Sequence, residues 1–163
     1  MSIKKITITD VAQQAGVSVT TVSLVLSGKG RISPTTVEKV NQAIEQLGYV
    51  RNRQAATLRG GESGVIGLIL RDICEPFYAE MTAGLSEALE AHDKLLFLTQ
   101  SGRDGQGLQR AFDALLAQGV DGIVLAGGIR AAAGLKEKAA EQGVPLVCVA
   151  RSSGLDGVDV VRP

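Results

Sequence analysis

Little in this chain is suited to catalysis. It has one histidine, two cysteines and no tryptophan in 163 residues. The lone His92 falls near the end of an amphipathic stretch, beside Asp93 and Lys94, and reads as a surface residue. Cys74 and Cys148 lie far apart, without the paired spacing of a metal site, and so sparing a use of cysteine suits a reducing cytosol. No apolar run reaches the ~20 residues that cross a bilayer, and the start lacks a signal-peptide core, so neither a span nor an export signal is expected. Glycines 102, 105 and 107 follow the second apolar strand pattern rather than the first, with no Lys-Ser or Lys-Thr after them, which argues against a phosphate loop or dinucleotide site.

An excess of one charge is missing too, but only in the total. Seventeen basic residues balance seventeen acidic ones. Through Arg59 the chain carries Lys4, Lys5, Lys29, Arg31, Lys39, Arg51, Arg53 and Arg59 against Asp10, Glu38 and Glu45, a net of +5 that leaves −5 for the rest. A basic head on an acidic body points to polyanion binding by the head alone.

The head reads as helices with clear ends. Thr7 is a cap whose third helical residue, Asp10, reaches back to it, and Val11, Ala12 and Ala15 form an apolar stripe that stops at Gly16. Val17 fills the turn, Ser18 caps a second helix, and Val22, Val25 and Leu26 face inward, leaving Val19, Thr20, Thr21, Ser23 and Leu24 on the other face. Ser33-Pro34 opens a third helix with Val37, Val40, Ile44 and Leu47 inward, ending at Gly48. Two helices joined by so tight a turn, with small residues between them, leave the outer face of the second free to enter a major groove. Asn52 then opens a very short helix with an exposed Leu58, too short to persist without a partner or DNA.

These motifs resemble the DNA-binding region of the lac repressor family of bacterial transcription regulators. The residues that carry the resemblance are Asp10-Val11-Ala12, Gly16-Val17-Ser18, Thr21-Val22-Ser23, Asn52-Arg53 and Leu58. The resemblance implies a helix-turn-helix domain over 1–49, a hinge helix and linker over 50–61, and over 62–163 part of the first lobe of an effector-binding and dimerisation domain. It further implies that Val19, Thr20 and Leu24 meet base edges, that Leu58 wedges into the minor groove, and that Thr7, Ser18, Thr21, Ser23, Asn52 and Arg53 meet the DNA backbone. With side chains this apolar, contacts to thymine methyls are expected more than bidentate readout of guanine.

The rest of the chain follows a different pattern. Gly64 to Leu70 is a nearly continuous apolar run, as in a strand buried on both faces of a parallel sheet. A helix opened by Pro76-Phe77, with Met81, Leu85, Ala88 and Leu89 as its inner stripe, comes next, and the alternation recurs: strand 95–98, helix 108–118, strand 122–126, helix 131–142, strand 146–150. A fifth strand is expected at 158–161. This order predicts a parallel α/β sheet with helices on both faces, and ligands beyond the carboxyl ends of its strands. Arg71, Asp72, Phe77, Ser101, Gly127, Gly128 and Arg151 fall there.

In the family this half resembles one lobe of a periplasmic sugar-binding protein, and the loop from Asp72 to Tyr78 contributes to the effector cleft. Asp72, Phe77, Tyr78 and Arg151 are therefore the candidate effector residues. For Asp72 the competing role is a helix cap; for Phe77 core packing is slightly favoured. Family members cross to a second lobe near Pro163, so the chain is expected to be an amino-terminal portion without useful sugar affinity. No cofactor is expected; the partners are operator DNA and a second copy, the latter only through a weak surface. A sugar-binding module whose head contacts protein is the rival reading. The +5 head beside an exposed Leu58 favours DNA.

Overall fold

A computed structural model of the chain describes residues 4–58, 60–127, 134–149 and 158–161. They form two compact units, Met1–Asn52 and Arg53–Pro163.

In the first unit, helix α1 spans Ile8–Ala15. Asp10 N–H donates to the Thr7 hydroxyl while the Thr7 N–H donates back to the Asp10 carboxylate at 2.8 Å. The chain leaves α1 through Gly16 at φ 67°, a left-handed conformation that costs glycine nothing and lets the next helix turn back on the first. Helix α2 spans Val19–Ser27 under a Ser18 cap, and α3 spans Pro34–Leu47 under a Ser33 cap. Their core is Val11, Ala12, Val22, Val40 and Ala43, with Ile44, Leu47 and Tyr49 packed around it. The expected α3 stripe is off by one member. Ala43 is buried where a larger residue would hold the helices apart, while Val37 is only half-buried.

The second unit begins with a short helix α4, Arg53–Thr57. Five parallel strands follow: β1 Val65–Leu70, β2 Leu95–Gln100, β3 Gly122–Ala126, β4 Leu146–Val149 and β5 Asp159–Val161, in the order β2-β1-β3-β4-β5. β2 runs two residues beyond its expected end, through Thr99 and Gln100. Helices α5 Pro76–Glu90, α6 Leu108–Ala117 and α7 Leu135–Glu141 form the crossovers. α7 runs from Leu135, after Gly134 at φ 85°; Ala131, its expected start, lies outside the described residues, as does Ala150, the expected end of β4.

Strand alternation divides the core. Val65, Ile69, Ile123, Leu125 and Cys148 face Phe112 and Leu115 of α6 and Leu135 of α7, whereas Leu68, Leu70, Val124 and Ala126 face Tyr78, Met81 and Leu85 of α5. Gly67 makes the close approach of α6 workable: a Cβ there would stand 2.5 Å from a Leu115 methyl. On α5, Ala88 is exposed instead of inward, and Tyr78 takes the buried place one turn ahead of Met81. Among the described residues, no helix is long and apolar enough to cross a membrane.

The entry into β1 is fastened by one carboxylate. Asp121 accepts the Ser63 N–H at 2.7 Å, the Ser63 hydroxyl at 2.9 Å and the Gly64 N–H at 2.8 Å, and Lys94 lies 3.6 Å away. Burial pushes the Asp121 carboxyl upward, but the Ser63 and Gly64 donors and Lys94 outweigh it and hold the group below its ordinary value of 3.8. A carboxylate depressed on folding stabilises the native state above its unfolded pKa, and that contribution disappears as pH falls through the folded pKa. Asp121→Asn turns an NH2 toward backbone donors and is expected to destabilise this unit at neutral pH by about 1–3 kcal/mol. Thermal unfolding followed by circular dichroism should show the gap between the two proteins closing once pH falls below 3.8; a gap unchanged at acid pH contradicts the charge-based account.

Candidate nucleic-acid interface

The outer face of α2 is set by how its first turn closes. Ser18 Oγ accepts the Thr21 N–H at 3.1 Å and pairs with the Thr21 hydroxyl at 2.9 Å. Whichever hydroxyl donates in that pair, one proton remains to point outward. Ser18 and Thr21 together thus hold one fixed hydroxyl donor at a helix start, suited to a phosphate oxygen. Thr20 is exposed on the same side, and Leu24 is half-exposed with its methyl groups against Gly30.

Three expected contact residues are placed differently from expectation. Val19 is half-buried and packs on the head core, so only part of its side chain faces outward. Thr7 spends both of its donors on Asp10, the N–H at 2.8 Å and the hydroxyl at 2.9 Å, which leaves neither for a phosphate. Those bonds also hold the Asp10 carboxyl below its ordinary value. Ser23 is half-buried and Asn52 exposed.

Arg53 is the third. Its Nη1 donates to the Asp93 carbonyl and its Nη2 to the Asp93 carboxylate, both at 3.3 Å, so the guanidinium turns to the body of its own unit. Leu58, just past α4, is 90% exposed, an amount no core leucine shows. Sequence reasoning missed Arg51, whose Nη1 donates at 3.0 Å to the Leu26 carbonyl at the last turn of α2 and complements the negative end of that helix. Arginine after a third helix carries no signal of this; the partner is 25 residues away.

The carboxyl ends of the strands form a separate polar cluster. Asp72 accepts the Cys74 N–H at 2.9 Å and Arg103 Nε at 2.7 Å, and these two donors, in that order, hold its carboxyl below the ordinary range. It caps no helix: Glu75 occupies the cap position of α5, without a side-chain bond. Arg103 and Gln100, which accepts the Ile73 N–H at 2.9 Å, were not anticipated. Phe77 and Tyr78 have the opposite placements from those expected. Phe77 is 49% exposed, whereas Tyr78 is 5% exposed in the core under the sheet, because α5 turns its second residue away from the strands and its third toward them. Tyr78 is thus a packing residue. Ser101 is likewise buried, its hydroxyl on the Leu70 carbonyl. Gly127 lies within reach of Arg71 and Tyr78; Gly128 and Arg151 lie outside the described residues.

Comparison with known proteins adds lineage to this geometry. Residues 7–52 match the family described as bacterial regulatory proteins, lacI family, and residues 63–163 match the periplasmic binding proteins and sugar binding domain of the LacI family. The chain is 61% identical over 160 residues to the maltose regulon regulatory protein MalI of Escherichia coli (strain K12), covering 98% of this chain and 47% of that protein. It is 56% identical over 123 residues to MalI of Vibrio furnissii, covering 76% of this chain and 90% of that one. The lac repressor dimer bound to operator and the anti-inducer ONPF aligns with a TM-score of 0.78 at 28% identity, over 98% of this chain and 48% of that one. The chain thus spans about half the length of the E. coli relative and of the lac repressor.

The Ser18 cap gives a direct check on the helix start. Ser18→Ala removes the acceptor for the Thr21 N–H and is expected to cost about 1 kcal/mol of head stability, whereas Ser18→Gly is expected to cost only a few tenths. Urea unfolding of the two variants distinguishes them; equal losses would mean that the hydroxyl does not cap α2.

Proposed function

We propose that this chain, which belongs to the lacI family of bacterial regulatory proteins, is a sequence-specific DNA-binding transcription regulator and acts as a repressor. Its target genes serve carbohydrate use, in keeping with the maltose regulon named for its relatives. The observation that carries the proposal is the α2 face: one hydroxyl donor fixed by the Ser18–Thr21 pair, Thr20 and Leu24 beside it, and a net +5 through Arg59.

The mechanism assigns each group by its chemistry. α2 lies in the major groove, where Thr20, Leu24 and the outward part of Val19 meet base edges and favour thymine methyls. Ser18, Thr21, Ser23 and Asn52 bind phosphates and set register rather than sequence. Leu58 enters the minor groove at the operator centre and opens a base step, work that only an apolar side chain held outside any core can do. Two chains act together on a palindrome. Exposed Leu95 and Phe97, alternate residues of the edge strand β2, give an apolar surface for the second copy. A sugar or sugar derivative acts as effector in a protein with both lobes, and this half contributes the Asp72 carboxylate and the Phe77 ring.

The test starts with selection of duplexes from a randomised pool by the purified chain. The winners should share a recurring sequence and weaken steeply with salt, since each neutralised phosphate releases counterions. No enrichment over the starting pool would refute the proposal. On the selected duplex, Leu58→Ala is expected to lower affinity about tenfold while changing affinity for unrelated DNA less than about twofold. Equal losses on both, read by fluorescence anisotropy, would remove the wedge from the mechanism.

A further inference from the structure

Arginine is seldom withdrawn from water without an acid beside it, because a charge that loses hydration needs a compensating one. Arg71 departs from that pattern. It follows β1 directly and is half-buried, and among the described residues no carboxylate lies within ion-pair distance of it. The acids at this end of the sheet are directed to Arg103 instead, Asp72 through a 2.7 Å bond and its charge, Glu75 through charge alone. Asp72 has its other oxygen on the Cys74 N–H. Arg103 is thus matched and Arg71 is not.

The position of Arg71 gives the unmatched charge a use. In the order β2-β1-β3-β4-β5 the chain passes from β1 to a neighbour on one side, β2, and then to the neighbour on the other side, β3. The crevice beyond the carboxyl ends of β1 and β3 is therefore the switch point at which open parallel sheets take ligands. Arg71 is the first residue after β1 and Gly127 the first after β3. A Cβ on Gly127 would stand 3.4 Å from Arg71 Cδ and 2.6 Å from the Tyr78 hydroxyl, so the arginine stem runs across the crevice where a side chain is missing. At its far end Nη2 donates to the Arg103 carbonyl at 3.3 Å, which uses one of five N–H donors and neutralises nothing. A guanidinium fixed in this way, with donors to spare, is suited to phosphate or carboxylate oxygens, which it can bind two at a time.

We propose, resting on the effector function given above, that Arg71 reads an anionic group of the effector, so that the ligand is a sugar carrying a phosphate or a carboxylate rather than a neutral sugar. Asp72, tied to Arg103 and to the Cys74 N–H, is kept from neutralising Arg71 before the ligand arrives. The anion supplies the charge that the protein withholds.

Titration of the full chain with glucose 6-phosphate, glucuronate, glucose and inorganic phosphate tests the proposal. NMR follows the Gly127 amide and the Arg71 side-chain N–H up to about 20 mM ligand, where a millimolar Kd is visible. An anionic sugar should shift both signals with at least about tenfold higher affinity than glucose, the discrimination that a charge-assisted hydrogen bond supplies. A response to glucose 6-phosphate alone identifies the group as phosphate, and a response to glucuronate alone as carboxylate. Arg71→Gln should weaken binding of the anionic sugar about tenfold, whereas Arg71→Lys, which keeps the charge, should lose less than about threefold. Glucose bound as tightly as the anionic sugars overturns the proposal and leaves the effector function standing, and so does anionic-sugar binding that Arg71→Gln does not weaken. Inorganic phosphate bound as tightly as glucose 6-phosphate upholds Arg71 as the anion reader and removes the sugar from the effector function. No shift with any of the four overturns both.

Discussion

Val11, Val22 and Val40 have no exposed surface, and the arrangement of the outer face of α2 depends on their contact. One comes from each of the three helices, so none of those helices buries its apolar stripe without the other two. Burying a valine contributes roughly 1.5–3 kcal/mol, a large share of what holds a unit of this size together. The small residues around the three valines, Ala12 and Ala43, let the helices approach. With the inner stripe of α2 committed to that contact, Thr20 and Leu24 are left on the outside, and the Ser18–Thr21 pair fixes where the helix begins.

The second unit solves a related problem differently. Its sheet is covered on both faces by helices, and the missing side chain of Gly67 makes room for Leu115 of α6 over β1. The chain enters β1 through backbone donors that a single carboxylate, Asp121, satisfies. Because Lys94 is shared between Asp121 and Glu62, and its neighbour Asp93 holds Arg53, the fastening of the sheet and the shape of the segment before it depend on the same turn.

The helix ends, the parallel alternation and the exposure of Leu58 were readable in the sequence, because caps, glycines past helix ends and apolar periodicity act over three or four residues. Thr7 with Asp10, Gly16, and Ser33 with Pro34 are of this kind. What escaped depends on distance or on phase. Arg51 reaches Leu26 across 25 positions and Arg53 reaches Asp93 across 40, and nothing local distinguishes either arginine from a solvated one. Phe77 and Tyr78 are adjacent aromatics at a helix start, and which of them turns inward is set by a helical phase that Pro76 does not reveal. Ala43 was passed over because a small residue carries a weak apolar signal even where the core needs it.

The central claim is that the outer face of α2 chooses the sequence while the capped helix start only sets register. The most direct measurement repeats the duplex selection with Thr20 and Leu24 replaced together, beside a second selection with Thr21 replaced. The account predicts that the first change alters the recovered bases in each half-site, and that the second leaves the bases unchanged while weakening every duplex alike. An unaltered sequence after the Thr20 and Leu24 changes would contradict it.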